Sequence, residues 1–348
     1  MQFHRFLVSN SMQTMFERGV VILSIDTEQI WGYRDSLTES QFQSRFPDAL
    51  GAHEKLLVCL RAADVSATWF VVGGMALRES AGARDPRMSG LPSGWTAGIR
   101  SGNEETAPLW YRASFVQRLR EACPTQEIGL HGGLTHLIWT DADAERNVVR
   151  RELCEGVLAL EQAFVRPHSF SFPRNQEAHH ELLPACGVHC YRGRPPALAW
   201  RLGRTLSGAL LRALDELRCT TPPVVWPQET LPGLWNIPAS MFLYPMGPAR
   251  ARVISIRSRV ERFSRGLEAA ARFGGIFHFS LHPENLAESP CGFSIFEEML
   301  LKLVRARDES GVEILTISDV TERIRRKQAY AKQKQQPYPD ILEAHRRC

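Results

Sequence analysis

Short apolar runs alternate along this chain with stretches whose apolar residues recur every three or four positions. Residues 19–25 (GVVILSI) form the first such run. It is rich in β-branched residues and apolar at successive positions, as a strand covered on both faces of a parallel sheet would be. Residues 49–63 place Leu56, Leu57 and Leu60 on one helical face, and residues 67–73 (ATWFVVG) form a second strand. The chain therefore opens as strand, helix, strand. The alternation then predicts a helix over 115–122, a strand over 127–130 and a long amphipathic helix over 141–164, capped by Thr140 or Asp141. A strand over 169–173, a helix over 177–186 and a strand over 188–192 follow. Residues 195–224 are irregular around a helical core, LSGALLRALDEL. After them come a strand over 234–244, a helix over 257–273, a strong strand over 275–281 (GIFHFSL), a helix over 295–310 and a last strand over 312–316.

No internal repeat interrupts this order, which predicts an α/β fold: one parallel barrel or wound sheet with its chemistry at the C-terminal strand ends. Residues 84–105 are rich in Gly, Pro and Ser and lack periodicity, so they read as an insertion loop and a mobile lid over the pocket mouth.

Composition adds exclusions. The chain has 348 residues, 44% hydrophobic and 23% charged, enough to bury a sizeable core. The net charge is only +4, and much of the excess sits after residue 320 in RIRRKQAYAKQKQ and HRRC. That run reads as a solvated helix or tail, and no aromatic-interleaved basic surface accompanies it, so nucleic acid is not the expected partner. Eight scattered cysteines suggest free thiols rather than a disulfide framework. The first residues lack a signal-peptide core, and a run of about 18 apolar residues occurs nowhere, so no membrane span and a cytoplasmic location are expected.

Four polar clusters follow predicted strands, and strand ends of an α/β fold converge. In Ser24-Ile25-Asp26-Thr27-Glu28, strand alternation points Asp26 and Glu28 to one face and Thr27 away. Two carboxylates there suit a metal site with a neighbouring base. In Glu127-Ile-Gly-Leu-His131-Gly-Gly-Leu-Thr-His136, two imidazoles suit zinc or a similar ion, and the glycines permit a tight turn. Ser169-Phe-Ser-Phe-Pro173-Arg174-Asn175-Gln176 puts an arginine where it can orient a carboxylate. His278-Phe-Ser-Leu-His282-Pro-Glu-Asn285 places His282 at a strand exit as a candidate general acid, whereas His278 reads as structural.

In combination these motifs resemble the polysaccharide deacetylase superfamily (carbohydrate esterase family 4), with ATWFVVG as the framework piece, over residues 20–317. FPRNQ and Cys190-Tyr191-Arg192-Gly193 resemble a branch tied to bacterial surface-glycan assembly. The resemblance implies a distorted parallel (β/α) barrel in a single domain over 19–320, after an extension over 1–18 and before a basic tail over 321–348. It implies metal-dependent removal of an N-acetyl group from an amino sugar, carried by a small molecule or glycan precursor. Asp26 would be the base, Arg174 would pair with and orient it, and His282 would be the acid. His131, His136 and Glu28 would hold a divalent metal, zinc before others, and Leu281 and Trp235 would line an acetyl pocket. Two departures stand out: Thr27 replaces the family's second adjacent aspartate, and the histidines are five apart instead of four. Hydrolysis of a non-sugar amide on the same fold and a non-catalytic scaffold in a glycan-assembly complex are the alternative functions.

Overall fold

The computed structural model describes residues 16–202, 205–245 and 247–335. Most of the expected N-terminal extension and the end of the basic tail lie outside the described residues. Twelve strands are present among the described residues: β1 (Val20–Thr27), β2 (Thr68–Val71), β3 (Glu79–Ser80), β4 (Gly102–Asn103), β5 (Glu127–His131), β6 (Ser169–Ser171), β7 (Cys190–Arg192), β8 (Gln228–Leu231), β9 (Leu234–Asn236), β10 (Met241–Leu243), β11 (Ile276–Leu281) and β12 (Glu313–Ile314). The helices are α1 (Glu39–Arg45), α2 (Ala49–Ala62), α3 (Ser93–Thr96), α4 (Ala113–Arg120), α5 (Arg146–Gln162), α6 (Leu198–Arg201), α7 (Leu206–Leu217), α8 (Pro248–Ala251), α9 (Ile256–Phe273), α10 (Pro283–Ala287), α11 (Gly292–Ser310) and α12 (Ile317–Gln335).

The main sheet runs β10-β11-β1-β2-β5-β6-β7-β9-β8, with β12 also on β1. Its pairs are parallel except β8 with β9. The sheet curls until the single expected strand over 234–244, broken in two at Pro238, meets both ends. Its first half bonds β7 through Ile237 N to Tyr191 O at 2.9 Å. Its second half reaches β11 through Ser240 N to His278 O at 2.7 Å. The predicted distorted barrel is therefore present.

Alternation along β1 sorts its residues into two layers. Val21, Leu23 and Ile25 face outward into a core shared with Leu56 of α2, Leu119 of α4, Leu153 of α5, Phe263 of α9 and Phe296 of α11. Val20 and Ile22 face inward beside Phe70, Cys190, Trp235 and Ile276. The barrel floor is closed by Ile317, Val320 and Ile324, so α12 is one continuous helix across the expected boundary at residue 320. Both layers are apolar at this end, which explains why β1 reads as an unbroken apolar run.

Higher in the barrel the inward positions turn polar. Ser24 Oγ is shared by His278 Nε2 at 2.8 Å and Arg192 Nη1 at 3.2 Å, and Arg192 Nη2 donates to Asp26 Oδ2 at 2.6 Å. His278 is structural, as expected: its other nitrogen meets Pro238 O at 3.1 Å.

Three expectations are corrected. Residues 84–105 are packed instead of loose: Met88, Leu91 and Ile99 join the main core, and buried Asp85 accepts from Arg87 and Ser80. The helix expected over 177–186 is two short 3-10 turns, since His179 is left-handed and Pro184 interrupts. Helix α5 starts at Arg146, because residues 138–144 make turns that leave the strand-end loop.

Burial first, and the nearby Arg192 charge after it, lower the His278 pKa to about 3. The unfolded chain binds a proton near 6.5 and the folded chain does not, so this group stabilises the fold above that pH and the contribution is lost as pH falls towards 3. A His278→Gln variant is expected to flatten the pH dependence of unfolding free energy between about pH 6 and 4 by about 1.4 kcal/mol per unit. Denaturant melts at several pH values check this, and parallel wild-type and variant slopes would contradict it.

Candidate active site

The clustered polar side chains lie at the C-terminal ends of the parallel strands. Asp26 near the end of β1 and Glu28 directly after it lie two apart and, as alternation requires, reach the same cluster. His282 sits between them, Nε2 at 3.3 Å from Asp26 Oδ2 and Nδ1 at 2.9 Å from Glu28 Oε1. The second contact is a close approach of charges without hydrogen-bond alignment, since Nδ1 has no bonded partner. Phe242 meets the His282 ring edge-on at 5.3 Å.

Glu28 Oε2, His131 Nε2 and His136 Nε2 form a nearly equilateral triangle. Its sides are 3.0 Å (Glu28 to His131), 2.9 Å (Glu28 to His136) and 3.1 Å between the two imidazoles. All three side chains are buried. His131 Nδ1 lies 3.0 Å from the Ser171 carbonyl, to which it donates, so its Nε2 carries a lone pair towards the triangle. With His136 protonated at Nδ1, its Nε2 completes a set of three lone-pair donors that suits a cation among them. Tetrahedral zinc with ligands near 2.0–2.1 Å needs edges of about 3.3 Å, so the triangle opens by only a few tenths of an ångström to accept one.

The five-residue histidine spacing is absorbed locally. Gly132 at φ +70° and His136 at φ +65° are both left-handed, which folds the second ring back onto the first. The loop is held from α5: buried Glu152 Oε1 accepts from Thr135 N at 2.7 Å, Thr135 Oγ1 at 3.0 Å and Leu137 N at 3.3 Å. A Cβ on Gly133 would lie 2.5 Å from the Glu152 carbonyl oxygen, so the loop and helix meet only through glycine.

The charges are set by burial against partners. Burial alone would raise Asp26; the Arg192 guanidinium, and His131 after it, hold it well below the usual carboxylate range. Burial likewise opposes ionisation of Glu28, and His282 and His136 outweigh it. Burial would lower His282, but Glu28 and then Asp26 raise it well above the ordinary histidine range. Burial lowers His136, keeping that ring neutral. Buried Glu284 accepts from Gln29 N at 3.0 Å, which pins the turn after Glu28; burial pushes its pKa up to about 8.

The structure thus brings Asp26, Glu28, His131, His136 and His282 together. Arg174 is the exception. It follows Pro173 in a left-handed conformation (φ +53°), turns out of the barrel and pairs with Asp35. Arg192, facing inward from β7, takes the expected place beside Asp26. The sequence reading missed Arg192; the signal that could have found it is alternation along Cys190-Tyr191-Arg192, which puts Arg192 on the same face as buried Cys190. Glu152 was legible only as a carboxylate on the apolar stripe of a helix. The expected acetyl-pocket residues are corrected too: Leu281 faces outward into the helical layer, and Trp235 lies in the barrel floor.

A cavity of about 560 Å³ adjoins these strand ends, lined by Arg174, Glu177, Arg194, Trp200, Arg212 and Tyr244 among others. An equally large cleft lies beside Arg78, Arg87 and Phe164, and the clustered groups themselves line neither cavity.

No family model matches the chain, and no curated protein matches it in sequence. Among solved structures it superposes on a "putative polysaccharide deacetylase from Mycobacterium smegmatis" with a TM-score of 0.58 and 18% identity, over 89% of this chain and 91% of that one. It also superposes on a 4-alpha-glucanotransferase from Thermococcus litoralis with a TM-score of 0.51 and 11% identity, over 88% of this chain and 40% of that one. The fold is therefore that of the deacetylase-type barrel.

The donor triangle generates the prediction for this site. Protein purified without chelator is expected to carry about one divalent ion per chain, and a His131→Ala/His136→Ala variant almost none. Elemental analysis of both decides; equal metal content would contradict the assignment.

Proposed function

We propose that this protein hydrolyses the N-acetyl group of an amino sugar, with a zinc ion held by Glu28, His131 and His136. The observation that carries the reading is the pairing of that donor triangle with a separate acid–base pair, Asp26 and His282. When bound, the ion supplies Lewis acidity towards an acetyl carbonyl and the attacking water.

The chain's own groups do the proton work. Asp26 Oδ2 is occupied by Arg192, whereas buried Oδ1 has no hydrogen-bond partner among the described residues. Oδ1 is the free base: ionised at neutral pH, it takes the proton of the attacking water. His282, cationic between two carboxylates, donates a proton to the departing nitrogen as the C–N bond breaks. The water oxygen ends on acetate and the nitrogen leaves as an amine; Asp26 then releases its proton to solvent and His282 regains one, which restores the pair whose Nε2 and Oδ2 lie 3.3 Å apart. Arg192 fixes the Asp26 carboxylate and keeps it charged. The setting we propose, on the strength of the sequence resemblance, is cytoplasmic assembly of a bacterial surface glycan.

Acetate release from N-acetylated amino sugars in the presence of zinc tests the reading. His282→Ala is expected to keep fold and metal but lose about 10²- to 10⁴-fold in amide turnover. An activated acetyl ester, whose leaving group needs no proton, is expected to lose far less. Unchanged amide turnover would remove His282 from the mechanism, and loss of metal would make it a ligand.

A further inference from the structure

Helix α7 is turned the wrong way round for a surface helix. Its buried positions include Glu216, which is ion-paired with Arg250 at 2.6 Å and lies 3.6 Å from Arg259. Its outward stripe is Leu206, Leu210 and Leu217, spaced i, i+4, i+11, with half-buried Ala213 between them. Leu206 is 91% exposed and Leu210 62% exposed. Leu198 and Leu202, at and just after α6, extend the patch, and Val253 and Ile256 add exposed apolar surface from the chain after α8. The segments are tied together by Arg212 Nη1 donating to Ala199 O at 2.8 Å and by the Arg250–Glu216 pair. A soluble helix ordinarily buries its leucines and exposes its charges.

The rim of this patch is cationic. Arg201, Arg218, Arg252 and Arg257 are exposed. Among the described residues of 198–218 and 250–257, no carboxylate is exposed, since Asp215 is half-buried and Glu216 is buried. Leucines surrounded by arginines match an anionic bilayer surface, where apolar side chains enter the headgroup boundary and guanidiniums meet phosphate. A protein partner would have to supply both a leucine-sized groove and an acidic ring.

The patch is continuous with the strand-end cavity. Trp200 of α6 and Arg212 of α7 line that cavity with Arg174, Arg194 and Tyr244, and Glu177 is the one carboxylate lining it among the described residues. Guanidiniums are the side chains best suited to a diphosphate.

We propose that the leucine face of α6 and α7, with its arginine rim, docks this protein on an anionic membrane surface, presenting the strand-end cavity to an amino sugar joined through diphosphate to a lipid. The choice of substrate rests on the deacetylase reading; the docking does not.

Flotation of the full chain with vesicles tests the surface. Wild type is expected to float with vesicles containing about one-third phosphatidylglycerol, less so with added salt, and weakly with phosphatidylcholine alone. Leu206→Ser/Leu210→Ser, both at exposed positions, is expected to lower partition about tenfold or more. Absence of binding, or equal binding by wild type and variant, would overturn the proposal. So would a wild-type dimer in solution that the variant dissolves while neither binds vesicles, which would assign the stripe to a second copy. For the substrate, acetate release from a polyprenyl-diphosphate N-acetylglucosamine in those vesicles is expected to exceed that from the nucleoside-diphosphate sugar by about tenfold. Equal release from both would overturn the lipid-linked assignment. Vesicle binding with no release from either would sink the deacetylase reading and uphold the surface.

Discussion

The buried ion pair between Arg192 and Asp26 is the interaction on which the rest of the site depends. Both side chains are nearly inaccessible, and Arg192 also lies 5.3 Å from the Phe70 ring. Removing one partner of such a pair leaves an uncompensated buried charge, at a cost on the order of 3–5 kcal/mol. The pair spans the barrel from β7 to β1 and sits between the apolar floor below and the strand-end carboxylates above. It holds one Asp26 oxygen and so defines which oxygen is free. The free oxygen, the His282 ring and the Glu28 carboxylate then follow from the register of β1 with β11, in which Ile25 pairs with Leu281.

Much of the fold was legible because burial on two faces leaves a signature that few alternatives share. The runs that became β1 and β2 are short, apolar and β-branched, that of β11 is short and aromatic, and their partners are parallel. The site was legible where its residues lie on strands or directly after them, since alternation fixes the direction of Asp26 and Glu28 and Pro283 fixes the exit of His282. The reading failed where local backbone conformation decides direction. Arg174 leaves the barrel because two consecutive residues, Arg174 and Asn175, are left-handed, which no periodicity announces. Residues 84–105 looked loose because their order comes from long-range burial of Met88, Leu91 and Ile99. Leu281 and Trp235 were misplaced by one step of alternation and by depth in the barrel.

The two departures from the motif pattern that the chain resembles also acquire a physical account. Thr27 points away from the pocket, as its place in β1 requires, so the carboxylate that meets the imidazoles comes from Glu28, one residue later and one methylene longer. The longer histidine spacing is absorbed by two left-handed residues and by Glu152, which holds the loop through three hydrogen bonds. The two changes are complementary, because a carboxylate arriving from just beyond the end of β1 meets a histidine arriving from further along the loop.

The central claim is that Glu28, His131 and His136 are the ligands of one ion. X-ray absorption at the zinc edge of the metal-loaded protein tests it most directly. The account predicts a low-coordinate shell of nitrogen and oxygen at about 2.0–2.1 Å, with the outer-shell scattering of two imidazole rings. A sulfur shell near 2.3 Å, or an oxygen shell without imidazole scattering, would contradict it.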